Sequence, residues 1–360
     1  MKFETSKLKH FLAACTALKI GKRTVMPILG YARITCQQGE TSLTVSNLGE
    51  SLKLYGTKSS DGERIHSTIP LEALKIAAKS TLPVIEILQT KPDVFTLAGQ
   101  TVIGVTADEY PSLDVLTVPS NDTENIYPGL DGLACAARAM STDESRFNLN
   151  GVYFDKDKRA VIGCDGHRLH ISNGLSTFKA SCIIPAPFVH AAIKLAKAYK
   201  LENPAINLDY EKNVARLSTP LFQLASRFID GTFPNIDQVL PKDSKLSFSL
   251  YDTTHWINTF KQFCAWSPDK KEYPCTLTQV DDRYVLQGKH AATGEFSQEL
   301  NTATKYEAIP ENKISFNASY FMEALEALKE HAIDVSFSGQ LGPILIQSAN
   351  KKIIVMPMRG

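Results

Sequence analysis

IPLEALKIAAK at residues 69–79 decides the fold, because its pattern returns as IPAPFVHAAIKLAK at residues 184–197 and as FNASYFMEALEALK at residues 316–329. In the first copy Leu71, Leu74 and Ala78 form one apolar stripe, while Glu72, Lys75 and Lys79 share the opposite face, as a period of about 3.6 residues requires. The second copy has Phe188, Ala192 and Leu195 inside and His190, Lys194 and Lys197 outside. The third sets Phe321, Leu325 and Leu328 against Glu323, Glu326 and Glu330. Each is predicted to be a helix that buries one side.

Alternating strand-like runs follow each helix: PVIEILQTKPDVFTLAGQTVIGVTA, PAINLDYEKNVARLSTPLFQLASRF and AIDVSFSGQLGPILIQSANKKIIVMP. The first two runs lead into similar endings, ADEYPSLDVL (107–116) and DGTFPNIDQVL (230–240). A further amphipathic segment precedes each helix, near residues 5–19, 128–140 and 251–264. The unit is therefore helix, strands, helix, strands, about 120 residues long and present three times. Polar linkers, TVPSNDTEN near 120–125 and PKDSK at 241–245, divide the chain into domains at 1–122, 123–242 and 243–360.

The composition narrows the function. With 43% hydrophobic and 21% charged residues over 360 positions, the chain is globular and not disordered. Lys plus Arg number 39 and Asp plus Glu 38, so bulk charge cannot coat nucleic acid or anionic lipid; a polyanion has to meet a locally basic face. The seven cysteines are odd in number and none has CxxC spacing, which fits a reducing cytoplasm. The N-terminal stretch alternates charge with apolar residues, unlike an export signal, and no apolar run approaches the roughly 20 residues of a membrane span.

Catalytic signatures are sparse. No GxxxxGK[ST], HExxH, GxSxG or strand-borne GxGxxG occurs. CDGHRLH at 164–170 offers Asp165, His167 and His170 to a metal- or histidine-dependent enzyme, yet VIGCDGHRLHIS also reads as two strands around an Asp-Gly turn. In a strand Asp165 and His167 share one face and His170 takes the other, so one site cannot use all three.

At these residues the sequence resembles the bacterial DNA polymerase III β subunit, the β sliding clamp family, over its whole length. The matching stretches are MKF at the start, RTVMPILG (23–30), ADEYPSL (107–113), SRFNLNGV (145–152), CDGHRL (164–169), DGTFPNIDQVLP (230–241) and VMPMRG (355–360). The resemblance implies an α+β fold of three repeated clamp-type domains, helices lining a central hole with sheets outside, closed as a homodimeric ring. It implies no catalysis, no cofactor and no metal. The implied partners are duplex DNA held without sequence preference, the replicative polymerase, the clamp loader, and repair proteins carrying a clamp-binding peptide; no membrane is implied. A clamp-fold paralogue of a mobile element or phage, acting outside the main replisome, stays open beside this reading.

Enclosure removes the need for many phosphate contacts, so near-zero net charge is no obstacle. An inner wall needs mild positive potential, for which Lys7, Lys75, Lys79, Arg138, Lys194, Lys197 and Lys261 on the helices are candidates. Arg23, Phe147 and Asn148 match DNA-touching positions of the family, although Asp143 and Glu144 add negative charge beside the second of these sites. Glu323, Glu326 and Glu330 would repel phosphate unless they pair with nearby Lys or Arg. The resemblance also implies a peptide-binding pocket made by Leu149, Cys164, Gly166, His167, Arg168, Leu169, Pro234, Val239, Pro343, Ile354, Val355, Met356, Pro357 and Met358. Cys164 stands where Thr is common and Gln238 where a basic residue is known. For the dimer interface it implies Ile103 and Val105, with Ala265 and an exposed Trp266 on the partner side.

Overall fold

The computed structural model describes all residues except 22–25, 58–63, 242–244, 252, 269–271, 282, 301–303, 306–308, 310–312, 329–332 and 359–360, and except the side chains of 114–115, 245–247 and 304–305. Arg23 and Glu330 lie outside the described residues. Among those described, the helices are α1 (Thr5–Ala17), α2 (Leu71–Ala77), α3 (Asp114–Thr117), α4 (Leu130–Ala137), α5 (Ala186–Ala198), α6 (Thr254–Trp266) and α7 (Ala318–Leu328). All but α3, a single turn in the first linker, fall on segments that the repeat predicts. Around them one order recurs three times: a strand, a helix, four strands, a helix, three strands. The third copy adds a two-residue strand at Thr304–Lys305.

The chain packs into two units. The first comprises Met1–Leu130 and Leu175–Asp230. Its long antiparallel sheet runs Ile65–Pro70, Tyr31–Gln37, Glu40–Ser46, Glu50–Tyr55, Phe222–Arg227, Val214–Ser218, Ile206–Asp209, Thr123–Ile126. A smaller sheet orders Lys2–Glu4, Val84–Lys91, Val94–Leu97 and Gln100–Ile103, with the last at its edge. Helix α1 buries Leu8, Phe11, Ala14 and Cys15, and α5 buries Phe188, Val189, Ala192 and Leu195. The His10 ring meets Tyr199 edge-on at 5.3 Å, tying α1 to the end of α5. Pro187 stands in the first turn of α5, where its missing N–H costs nothing.

The second unit comprises Asp131–Gly174 and Gly231–Gly360. The strands that this unit contributes to its long sheet run in the order Gly151–Asp155, Ala160–Cys164, Arg168–Asn173, Lys351–Val355, Ile344–Gln347, Ile333–Phe337, Lys245–Leu250 and Thr304–Lys305. Its small sheet orders Gly294–Leu300, Arg283–His290, Pro274–Val280 and Lys313–Asn317. Beneath α6 and α7 lies an aromatic core in which Phe321 stacks on Phe260 at 5.1 Å and on Phe316 at 5.0 Å. Asn317 caps α7, its Oδ1 accepting the Ser319 amide at 3.0 Å.

These units do not follow the repeat. Leu52 pairs with Leu224, joining a first-repeat strand to a second-repeat strand, and Leu169 pairs with Ile354, joining the second repeat to the third. Continuous sheet hydrogen bonding therefore divides the central repeat between both units.

Candidate functional site

The turn at residues 165–167 is the anchor of the site. Asp165 Oδ1 accepts the amides of His167 and Arg168, each at 2.9 Å, and closes a loop in which Gly166 takes φ +90, a conformation that suits a residue without Cβ. The flanking strands pair Cys164 with Leu169. Leu169 in turn lies opposite Ile354 on the last strand, so both present side chains on one face while Val355 faces the other.

A wall closes over that face. The segment at residues 231–240 is tied down at three points: Phe233 lies flat on Tyr153 with centroids 4.6 Å apart, Asp237 Oδ1 accepts from Lys158 Nζ at 2.6 Å, and the Thr232 carbonyl accepts from Asn148 Nδ2 at 2.9 Å. Asn235 caps the short 3-10 turn Ile236–Gln238 through the Asp237 amide. The result is a cavity of about 170 Å³ lined by Leu149, Cys164, Gly166, Arg168, Leu169, Pro234, Asn235, Ile236, Val239, Ile354 and Met356, nearly all of it apolar surface. An engineered cavity of ~150 Å³ admits benzene, so this one has room for one large apolar side chain.

Cys164 belongs to the lining as a small apolar group. Burial pushes its thiol up from the ordinary value, so it stays protonated. Arg168 is fully engaged: Nε donates to Asp165 at 3.0 Å, Nη1 to Glu323 at 2.8 Å, and its guanidinium lies 4.3 Å from the Tyr320 ring centre.

Nine of the fourteen pocket residues expected from the sequence line this cavity. Val355 is corrected to the core, because adjacent strand residues face opposite sides and Ile354 occupies the pocket side. His167 points to solvent and contributes its carbonyl, which accepts the Met356 amide at 2.9 Å. Pro357 bridges to Phe316 and the Met358 amide bonds Ser315, which fixes the end of the chain beside the small sheet. Pro343 sits just before the strand Ile344–Gln347 and is not one of the lining residues. Asn235 and Ile236 were missed; both lie in PNIDQV, whose Pro234 and Val239 were already singled out.

Asp165, His167 and His170 do not converge. His170 is fully buried on the opposite side of its strand, with Nδ1 2.9 Å from the Cys135 carbonyl oxygen. Burial first, then the Arg168 charge, pull its pKa down to about 3, so it is neutral at ordinary pH. Among the described residues no cluster of three His, Cys, Asp or Glu is set to hold a metal.

On the helices, Lys194 and Lys197 stand exposed on α5. Lys79 shares an open crevice with Lys9 and His10, neither of which the sequence reading had singled out. Lys7 is paired with Glu4 at 2.7 Å and Lys75 with Glu72 at 2.6 Å. Arg138 and Lys261 converge on Glu326, at 3.2 and 3.0 Å. Burial alone would raise that carboxyl, yet the two cations hold it below its usual value. With Glu323 on Arg168, both described glutamates of the third helix face are neutralised. Phe147 is exposed beside the Gly231 turn, whereas Asn148 is spent on the Thr232 carbonyl of the wall segment.

Residues 134–235 match the family model of the DNA polymerase III beta subunit central domain, and residues 237–359 match that of its C-terminal domain. The chain belongs to the DNA polymerase III β subunit family. The beta sliding clamp of Rickettsia bellii is 24% identical to it over 386 residues, covering 99% of this chain and 98% of the relative. Among solved structures, the Pseudomonas aeruginosa sliding clamp bound to griselimycin superposes with a TM-score of 0.84 at 19% identity, covering 100% of this chain and 99% of that one. The Bacillus subtilis clamp gives 0.82 at 19%, covering 100% and 98%. The β-subunit fold thus extends over the first repeat as well.

Two edge strands are notable in this β-subunit chain. Ile103, 73% exposed, ends the outer strand Gln100–Ile103, and Gly294–Leu300 is the outer strand of the other small sheet. Val105 turns away from such an edge: its carbonyl accepts from the Thr68 amide and hydroxyl, and its side chain packs toward Ile28, Leu29 and Tyr110. Ala265 is exposed. The expectation of an exposed Trp266 is corrected: the ring is half-buried against Phe263 and Phe296, with Nε1 donating to the Thr293 carbonyl at 3.2 Å.

Proposed function

We propose that this chain is a DNA sliding clamp, a processivity factor that encircles duplex DNA and tethers the replicative polymerase. The observation that carries the reading is the apolar pocket of Leu149, Leu169, Val239, Ile354 and Met356 on a chain of the β-subunit family. In this reading domains 1–122, 123–242 and 243–360 form half of a homodimeric ring, closed by the edge strand ending at Ile103 against Gly294–Leu300 of a second copy. Unpaired strand edges favour such closure, and a two-fold operation uses it twice. Lys79, Lys194 and Lys197, with Lys9, supply the mild positive potential of an inner wall, where duplex slides without being read. Phe147 is a further contact for the backbone.

The pocket takes the linear peptide by which polymerase, clamp loader and repair proteins dock, and burying one Leu or Phe there contributes roughly 1.5 to 3 kcal/mol. Exchange between partners follows from an anchor so small. The protein acts in the cytoplasm by tethering and catalyses nothing itself. Primer extension by the cognate replicative polymerase on singly primed circular DNA tests this: product length should rise sharply on adding the chain, and unchanged length refutes the proposal.

A further inference from the structure

Arg33 and Lys53 lie on the long sheet of the first unit, each directly opposite Thr44 on the strand between them. They share the face turned away from the buried Ile34, Leu43 and Leu52, with Cα atoms two strand spacings, about 9.6 Å, apart. Among the described residues neither cation has a carboxylate within 4 Å, and Arg33 Nε is shut off from solvent without an acceptor. What each does meet is an aromatic ring. The Arg33 guanidinium lies 5.6 Å from the Tyr110 ring centre and the Lys53 ammonium 4.9 Å from that of Tyr55. Burial lowers the Lys53 pKa, Glu40 raises it again in part, and the Arg33 charge adds to the lowering.

The second unit shows what the fold itself needs in this row. There Tyr153 lies opposite Ile162 and Ile162 opposite Ile171, with Phe233 on Tyr153 as Tyr110 is on Arg33. Ile162 and Ile171 are buried. Apolar side chains therefore suffice for packing, and two half-buried like charges weaken the first unit with nothing inside it to offset them. A ligand that supplies the missing partner accounts for such a departure. Beside the cations lies a crevice of about 340 Å³, bounded by Tyr55, Glu40, Thr219 and Pro220, a volume within the range of small-molecule sites. Glu40 is exposed and shares the face of Thr44, four residues and about 13 Å along the strand. Over that length the face presents two cations, a ring and a carboxylate, in that order.

We propose that this face binds a nucleoside diphosphate or triphosphate. The phosphates bridge Arg33 and Lys53 over Thr44, the nucleoside enters the crevice beside Tyr55, and Glu40 accepts its N–H or O–H donors. A forked guanidinium and an ammonium make charge-assisted hydrogen bonds that suit phosphate oxygens. An acidic peptide fits less well, because Glu40 repels its carboxylates at the crevice. The site uses none of the residues of the apolar pocket and stands whether or not that pocket takes peptides.

Isothermal titration of the full chain with ADP, pyrophosphate and adenosine, in magnesium-free buffer at low salt, tests this. ADP is expected to bind with a Kd of about 0.1 to 1 mM, pyrophosphate about tenfold more weakly, and adenosine without measurable heat. Arg33→Met and Lys53→Met should each weaken ADP by at least about tenfold without lowering the thermal midpoint of the ligand-free protein. Arg33→Lys, which keeps the charge, should retain more affinity than Arg33→Met, a difference that misfolding alone would not produce. Glu40→Gln should reduce the preference for ADP over pyrophosphate. Absence of ADP binding at millimolar concentration, equal affinity for pyrophosphate and ADP, or unaltered affinity in both methionine variants overturns the inference.

Discussion

Arg216 and Asp209 form an ion pair at 2.8 Å with both side chains withdrawn from solvent. The pair latches the first linker. Arg216 also donates to the carbonyls of Leu116 at 2.7 Å and Val118 at 3.1 Å, while Asp209 accepts the Ser120 amide and hydroxyl. Removing one partner strands a buried charge, so Arg216→Ala should cost about 3 to 5 kcal/mol in urea denaturation. A loss below about 1 kcal/mol would show that the latch is dispensable.

The same carboxylate gives an acid response. Burial would raise Asp209, but the hydrogen bonds from Ser120, Lys212 and Arg216 outweigh it and hold the group at about 2, against an ordinary 3.8. Its contribution is present above pH ~4 and lost as pH falls toward 2. His170 acts earlier. Its folded pKa of about 3 lies below the ordinary 6.5, so the unfolded chain binds the extra proton first and stability falls as pH drops below about 6.5. His170→Asn, which keeps a donor toward the Cys135 carbonyl, should flatten the decline of thermal midpoint between pH 6.5 and 4. An unaltered slope would mean that other groups set it.

Much of the architecture was legible because each repeat carries its own period. Phe188, Ala192 and Leu195 recur at helical spacing, and the Asp-Gly turn between Cys164 and Leu169 is marked by residue type alone. Eight of the cavity residues expected from the sequence lie in the family stretches, and Ile354 directly precedes the last of them. What stayed hidden depends on distant partners. No local pattern announces that Arg168 meets Glu323, or that Glu326 collects Arg138 and Lys261, since more than a hundred residues separate several of these. The two packed units were equally hidden, because pairing of Leu52 with Leu224 and of Leu169 with Ile354 crosses the repeat boundaries. Trp266 misled because its ring packs against Phe263 and against Phe296, which the sequence places thirty residues on.

Among the large apolar side chains lining the pocket, Val239 is the exposed one, at 38%. Val239→Asp should therefore leave thermal stability within about 0.5 kcal/mol while weakening a clamp-motif peptide by at least about tenfold. Retained affinity in calorimetric titration would remove Val239 from the site.

Ile103 offers a clean probe of ring closure, because it stands 73% exposed at the end of an outer strand. The native chain should scatter light as a particle near twice 39.7 kDa, and Ile103→Lys should shift it toward 39.7 kDa without lowering the denaturation midpoint. A native monomer at micromolar concentration contradicts closure through this edge.

The thiols report on packing. Cys15, Cys36, Cys135, Cys182 and Cys275 are buried, whereas Cys164 and Cys264 are partly exposed. Ellman's reagent should modify only the last two rapidly in the native protein, and peptide should protect Cys164 alone. Fast reaction of the buried five would contradict the packing of both units.

Enclosure of DNA is tested most directly by topology. The chain is loaded by its clamp loader onto nicked circular duplex, the complex is isolated, and the DNA is then cut once with a restriction enzyme. Stable retention on the circle and rapid loss from the linear form through its free ends are expected, with little dependence on salt before cutting. Equal retention on circular and linear DNA, or release from both at moderate salt, would contradict it.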